Sequence, residues 1–139
     1  SAVLTAERDP AALAEEIVAM RRRMGQAHPQ QADVFELKHS HGGMIDIEFV
    51  TQYLVLLHSR QHAAMIENRG NIALLERADD LGILPGQVGH AAATAYREMR
   101  RMQHRARLDE ESTAFPEDML QSQGDAGRAL WREVFGAPW

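Results

Sequence analysis

Asp46 and Glu48 stand two residues apart in L-K-H-S-H-G-G-M-I-D-I-E-F-V-T-Q-Y, residues 37 to 53, just behind Gly42 and Gly43. Lys38, the only lysine of the chain, opens the same stretch. These are parts from which an anion or nucleotide cleft can be built. Paired glycines admit another backbone or a ligand, the free amides of a helix start accept negative charge, and a lysine adds a point charge. The same parts also make a tight turn ahead of a capped helix, and spacing alone leaves both readings open. Two residues apart is about 200° around a helix, so the carboxylates face different ways and cannot share one proton. Asp46 falls on the face of Val50, Tyr53 and Leu57, where it needs a hydrogen-bond partner or must project from the helix mouth. Glu48 and Gln52, four apart, align as a polar pair on an otherwise apolar rod, suited to capping or to lining a cleft.

Other side chains carry weaker signals. His58 and His62 have ligand-like spacing and His39 and His41 flank Ser40, but no third ligand or H-E-x-x-H pattern accompanies them, so no metal site is expected. No nucleophile triad and no D-x-D carboxylate pair can be argued. Arg97, Arg101 and Arg105 share one helical stripe, flanked by Arg100, His104 and Arg107. That ridge suits an acidic partner or a phosphate; its bland reading is a solvated face laced to Glu98, Asp109 and Glu110.

The elements that would position these groups are helical. Asp9 and Pro10 start a helix carrying Leu13, Ile17, Met20 and Met24, with Gly25 as its stop. Residues 26–34 read as a loop, and Phe35 to Lys38 as a short extended piece. Met44 to Ile66 reads as a long central helix, apolar nearly all round. Asn71 is expected to cap a shorter helix ending at Gly82, with Ile83 and Leu84 tucked under the next turn, which Pro85 and Gly86 punctuate. A fourth helix runs from Pro85 to Leu108. Phe115 before Pro116 pins a polar connection, and a last helix runs from near Asp125 to Gly136. The expected fold class is all-α, a single helical domain over residues 1–139: a bundle of about five helices with a long buried central helix.

Composition narrows the function. A net charge of −5 argues against a nucleic-acid binder, no apolar run is long enough for a membrane span, and the absence of cysteine suits the cytoplasm and removes thiol chemistry.

Residues 37 to 53 resemble the G-G-x-x-D-I-E-F-x-x-Q-Y signature of the glutamine synthetase adenylyltransferase family. A-Y-R-E-M-R-R-M-Q-H-R, residues 95 to 105, is similar to its A-Y-x-x-L-R-x-x-E-H-R pattern, with Met99 and Gln103 departing from it. The resemblance implies a helical domain beside a nucleotidyltransferase domain that carries the catalytic groups, ATP and Mg2+; the chain itself is expected to hold no catalytic residue and no cofactor. Lys38, Gly42, Gly43, Asp46, Glu48 and Gln52 would then line the cleft toward that neighbour. The implied partners are glutamine synthetase, a PII-type signalling protein and the parent's own nucleotidyltransferase domain. The close at Ala137-Pro138-Trp139 suggests the C-terminal, adenylylating half of the parent. The alternatives are a docking module that binds glutamine synthetase or a PII-type protein through the arginine ridge, and the equivalent domain of a PII uridylyltransferase.

Overall fold

A computed structural model describes residues 9–58, 70–136 and 139. Helix α1 spans Pro10–Ala27. Its start is the expected one: Asp9 Oδ1 accepts from the Ala11 amide at 3.0 Å and proline holds the first turn. It runs through Gly25, which a continuing helix tolerates, and ends with His28 as its cap, where φ −131° and ψ 72° leave the helical region that the following Pro29 disfavours. Its buried face is Leu13, Val18 and Arg21, whereas Met20 is exposed.

After the loop, β1 (Val34–Glu36) pairs antiparallel with β2 (Ala114–Pro116), Phe35 opposite Phe115. The strand therefore covers only Phe35 and Glu36 of the expected extended piece and starts one residue earlier, at Val34, and its partner is the connection carrying Phe115. Both outer edges are closed. Ser40 Oγ accepts from the Glu36 amide at 2.8 Å, Ser112 Oγ accepts from the Ala114 amide at 3.0 Å, and Pro116 has no amide to leave open.

Helix α2 is described over Met44–His58; the expected continuation to Ile66 lies outside the described residues, as does His62. Ile47, Val50, Thr51, Tyr53 and Leu54 are buried, and α2 touches every other helix of the bundle. Helix α3 (Asn71–Asp80) has Gly70, not Asn71, at its cap position; Asn71 Nδ2 instead donates to the Tyr96 hydroxyl at 3.2 Å. The Ile83 and Leu84 amides fold back onto the Ala78 carbonyl, and Leu84 is buried as expected.

Helix α4 is Val88–Leu108. It starts three residues after Pro85 because Asp79 of α3 supplies the cap, accepting from the Gly89 and His90 amides at 2.9 and 2.7 Å. A 3-10 turn, Glu117–Leu120, leads into α5, Gln121–Phe135, which begins before Asp125 and stops at Gly136 with φ 66°. Gly136 is in the left-handed conformation that ends many helices. Trp131, Leu37, Ile47, Leu75, Met99 and Leu130 are among the most deeply buried side chains. The described residues form an all-α bundle of five α-helices around α2, with one small ribbon. No helix among them is long and apolar enough to cross a membrane.

Candidate functional site

The loop between β1 and α2 closes on itself. The Gly43 amide donates to the Ser40 carbonyl at 2.8 Å, that of Met44 to Leu37 at 2.8 Å and that of Ile45 to Lys38 at 3.2 Å. The amides that would have faced an anion are thus occupied by the loop's own carbonyls, and the turn reading holds at this position. Glu36 accepts from the Lys38 and His39 amides at 2.7 and 2.8 Å and from the Thr113 hydroxyl at 2.9 Å. Gln30 braces the outside, donating to the His39 carbonyl at 2.9 Å and accepting from the His41 amide at 3.0 Å. Arg128 of α5 donates to the His41 carbonyl at 3.1 Å and to Asp125 at 2.6 Å.

The two glycines are needed by the chain's own packing. Gly42 has φ 86°, and a Cβ on it would lie 2.4 Å from the Gly124 carbonyl oxygen of α5. In return, a Cβ on Gly127 would lie 1.9 Å from the Gly42 carbonyl oxygen. A Cβ on Gly43 would meet the Leu37 carbonyl at 2.7 Å. Gly42 and Gly43 are both buried, and the backbone that approaches Gly42 is that of α5. They do not line an open cleft.

Asp46 is fully buried, so of the two outcomes its apolar face allowed, a hydrogen-bond partner or projection from the helix mouth, the structure has the first. Arg21 Nε donates to Asp46 Oδ1, while the Gly42 amide and Trp139 Nε1 each donate to Oδ2 at 2.8 Å. Arg21, only 1% exposed, spends a second donor on the His39 carbonyl at 2.8 Å. Burial lifts the Asp46 carboxyl above its ordinary range, and the Arg21 charge and the N–H donors offset that only in part. Trp139 covers the network, stacking on His41 at 4.5 Å and on Trp131 at 5.4 Å between ring centroids. Burial, with the charges of Arg21 and Arg128 beside it, pushes the His41 imidazole down to about 4. His39 stacks on His28 at 3.7 Å and is also lowered, by burial first and then by His28.

Glu48 lies on the other side of α2. Tyr96 of α4, itself buried, donates its hydroxyl to Glu48 Oε2 at 2.7 Å. Burial, and then this bond, push the Tyr96 hydroxyl up to about 12. The Arg100 guanidinium sits 6.0 Å from the Tyr96 ring centre, so Glu48 adjoins the arginine ridge. Glu48 is half-buried, Gln52 exposed and Lys38 half-buried. The six expected cleft residues therefore divide: Gly42 and Asp46 face inward toward α5 and α1, Gly43 packs on the carbonyls of its own loop, Lys38 is half-buried in that loop, and Glu48 and Gln52 belong to the α2 surface. Among the described residues no ion pair laces Arg97, Arg101 or Arg105 to a carboxylate; Glu98 is taken by Gln123 of α5.

Sequence reasoning missed Arg21, Trp139, Tyr96, Gly124 and Gly127. Arg21 follows Leu13 and Ile17 at steps of four, which places it on the apolar stripe, and the two glycines three apart inside a helix were a second readable signal.

Residues 11–124 match a family model described as GlnD PII-uridylyltransferase. The chain is 47% identical over 137 residues to the bifunctional glutamine synthetase adenylyltransferase/adenylyl-removing enzyme of Burkholderia mallei, covering 97% of this chain and 15% of that protein. It is 46% identical over 134 residues to the enzyme of that name from Chromobacterium violaceum, covering 96% of this chain and 15% of that protein. For its namesake in Neisseria meningitidis the identity is 45% over 135 residues, with 96% and 15% covered. The chain thus spans about 15% of the length of these curated relatives. On the family match and these identities, the chain belongs to the GlnD PII-uridylyltransferase family and is similar nearly end to end to a segment of glutamine synthetase adenylyltransferases.

Proposed function

We propose that this chain is the helical accessory domain of a cytoplasmic glutamine synthetase adenylyltransferase, and that it abuts a nucleotidyltransferase domain and helps close its nucleotide site over the incoming protein substrate. The names of its relatives, which transfer or remove adenylyl groups on glutamine synthetase, support the adenylyltransferase over the uridylyltransferase reading. The residues described here do not fit an ATP or Mg2+ site. No three His, Asp or Glu side chains among them are gathered as metal ligands, and the Met44, Ile45 and Ile47 amides at the start of α2 are bonded to carbonyls of the chain itself. In this reading nucleotide and metal are held by the neighbouring domain.

What the chain contributes is placement, on which phosphoryl and nucleotidyl transfer depend heavily. Arg21, Asp46, Gly42 and Gly43 fix the loop and the first turn of α2 from inside, and Lys38, Glu48 and Gln52 meet the neighbour. One observation carries this assignment: Glu48 is partly exposed, yet its Oε2 is pinned by the hydroxyl of a buried tyrosine. Such a bond holds one carboxylate oxygen still and presents the other.

The test is steady-state AMP transfer to glutamine synthetase by the full-length parent carrying Glu48→Gln or Gln52→Ala. Turnover is expected to fall about tenfold or more, with KM for glutamine synthetase nearly unchanged, as loss of positioning requires. Wild-type turnover in both variants would remove the proposal.

A further inference from the structure

Five arginines, at 97, 100, 101, 105 and 107, against one acid, Glu98, give residues 97–107 a net charge of +4 in a chain of −5; the remainder carries −5 − 4 = −9. Arg101, His104, Arg105 and Arg107 are exposed, and Arg97 is half-exposed. The buried stripe of α4, Ala92, Ala95, Met99, Gln103 and Ala106, faces the opposite way. A shallow hollow of about 490 Å³ opens between Arg100, Arg101, Gln103, His104 and Arg107.

Two ordinary explanations fall short. The helix dipole rewards cations only within the last turn, which accounts for Arg105 and Arg107 but not for Arg97 or Arg101. Solubility is already served by the negative net charge, and a concentrated patch of opposite sign works against it. Local pairing is absent, since none of Arg97, Arg101, Arg105 and Arg107 has a carboxylate within 4.0 Å among the described residues.

We propose that this face of α4 docks a carboxylate-rich helix of a partner protein. Arg97, Arg101 and Arg105 step along α4 by about 6 Å each, so acids one turn apart on a facing helix meet them in register. Guanidinium forks take carboxylates two-pronged, and the hollow beside Arg101 admits an acidic side chain. A nucleic acid suits the face less well, because the −9 carried elsewhere repels a long polyanion. The proposal stands independently of the role given to Glu48 and Gln52.

Fluorescence anisotropy of a labelled helical peptide with glutamate at every fourth position, titrated with this chain at low salt, tests it. The triple change Arg97→Glu, Arg101→Glu, Arg105→Glu is expected to weaken binding about tenfold or more, and the control triple Arg23→Glu, Arg77→Glu, Arg132→Glu, which alters net charge equally, to leave most of it. If reversal unsettles the helix by circular dichroism, glutamine at the same three positions must show the same loss relative to its control. Equal weakening by both triples, no binding by the unmutated chain, or an oligothymidylate bound as tightly as the peptide would overturn the proposal.

Discussion

At the residue scale the governing fact is that two carboxylates two positions apart do unrelated work. Asp46 is a buried acceptor for Arg21, Gly42 and Trp139, and Glu48 is a surface group steadied by Tyr96. A buried ion pair is not automatically stabilising, because both charges lose their hydration; removing one partner strands the other. Asp46→Ala should therefore cost about 3–5 kcal/mol, since it leaves a guanidinium that is only 1% exposed without its counter-charge. Arg21→Met should be milder, because a carboxyl already lifted by burial escapes the penalty by taking up a proton. The double variant Arg21→Met with Asp46→Asn should cost clearly less than the sum of Arg21→Met and Asp46→Asn measured singly. Urea unfolding of the four proteins closes the cycle, and strict additivity would mean that the two side chains are not coupled.

At the element scale the bundle depends on how closely α5 crosses the β1–α2 loop. Gly127→Ala places a methyl 1.9 Å from the Gly42 carbonyl, and two backbones have to separate to admit it. The usual gain of alanine in a helix, about 1 kcal/mol, is then outweighed by an overpacking cost of about 1–3 kcal/mol. Gly25→Ala is the contrast. Its nearest neighbour would be Arg21 Nη1 at 3.6 Å, an ordinary contact, so it should stabilise by about 0.5–1 kcal/mol. Thermal midpoints that move the same way in both variants would contradict this account. The same crossing explains what could be read in advance. The spacing of apolar residues reveals α1, α2 and α4 because each depends on its own periodicity. The pairing of β1 with β2 joins residues about eighty positions apart, and no local pattern near Ala114 announces it. Gly25 and Asp125 were read as helix boundaries by local propensity, which tertiary packing overrides. The rotation of Asp46 onto the apolar face and away from Glu48 was legible, but the partner that satisfies it there, Arg21, stands twenty-five residues earlier and no local pattern joins the two.

At the scale of the whole molecule, residues far apart in sequence converge on one small region: Arg21 from α1, His41 from the loop, Asp46 from α2, Arg128 from α5 and Trp139 beyond it. This convergence makes global stability respond to acid through one imidazole in particular. His41 is held down to about 4 in the folded chain, against an ordinary 6.5, by burial and by Arg21 and Arg128. Between those values the unfolded chain binds a proton that the folded chain refuses, so the contribution of neutral His41 is complete above about pH 6.5 and is lost as the pH falls toward 4. His39, lowered as well, acts in the same direction. Asp46, which is raised, acts in the opposite one: its contribution is present in acid and fades as the pH climbs through its folded value. His41→Phe keeps a ring for Trp139 to stack on and removes the titration. Its urea midpoint should therefore fall less than that of the unmutated chain between neutral pH and the low end of this window. Trp139→Ala opens the cover instead, and the His41 ring signals followed by NMR should then titrate at a higher pH, nearer the ordinary imidazole value. Parallel pH profiles for His41→Phe and the unmutated chain would show that acid sensitivity arises elsewhere. An unmoved His41 titration in Trp139→Ala would show that Trp139 does not supply the burial.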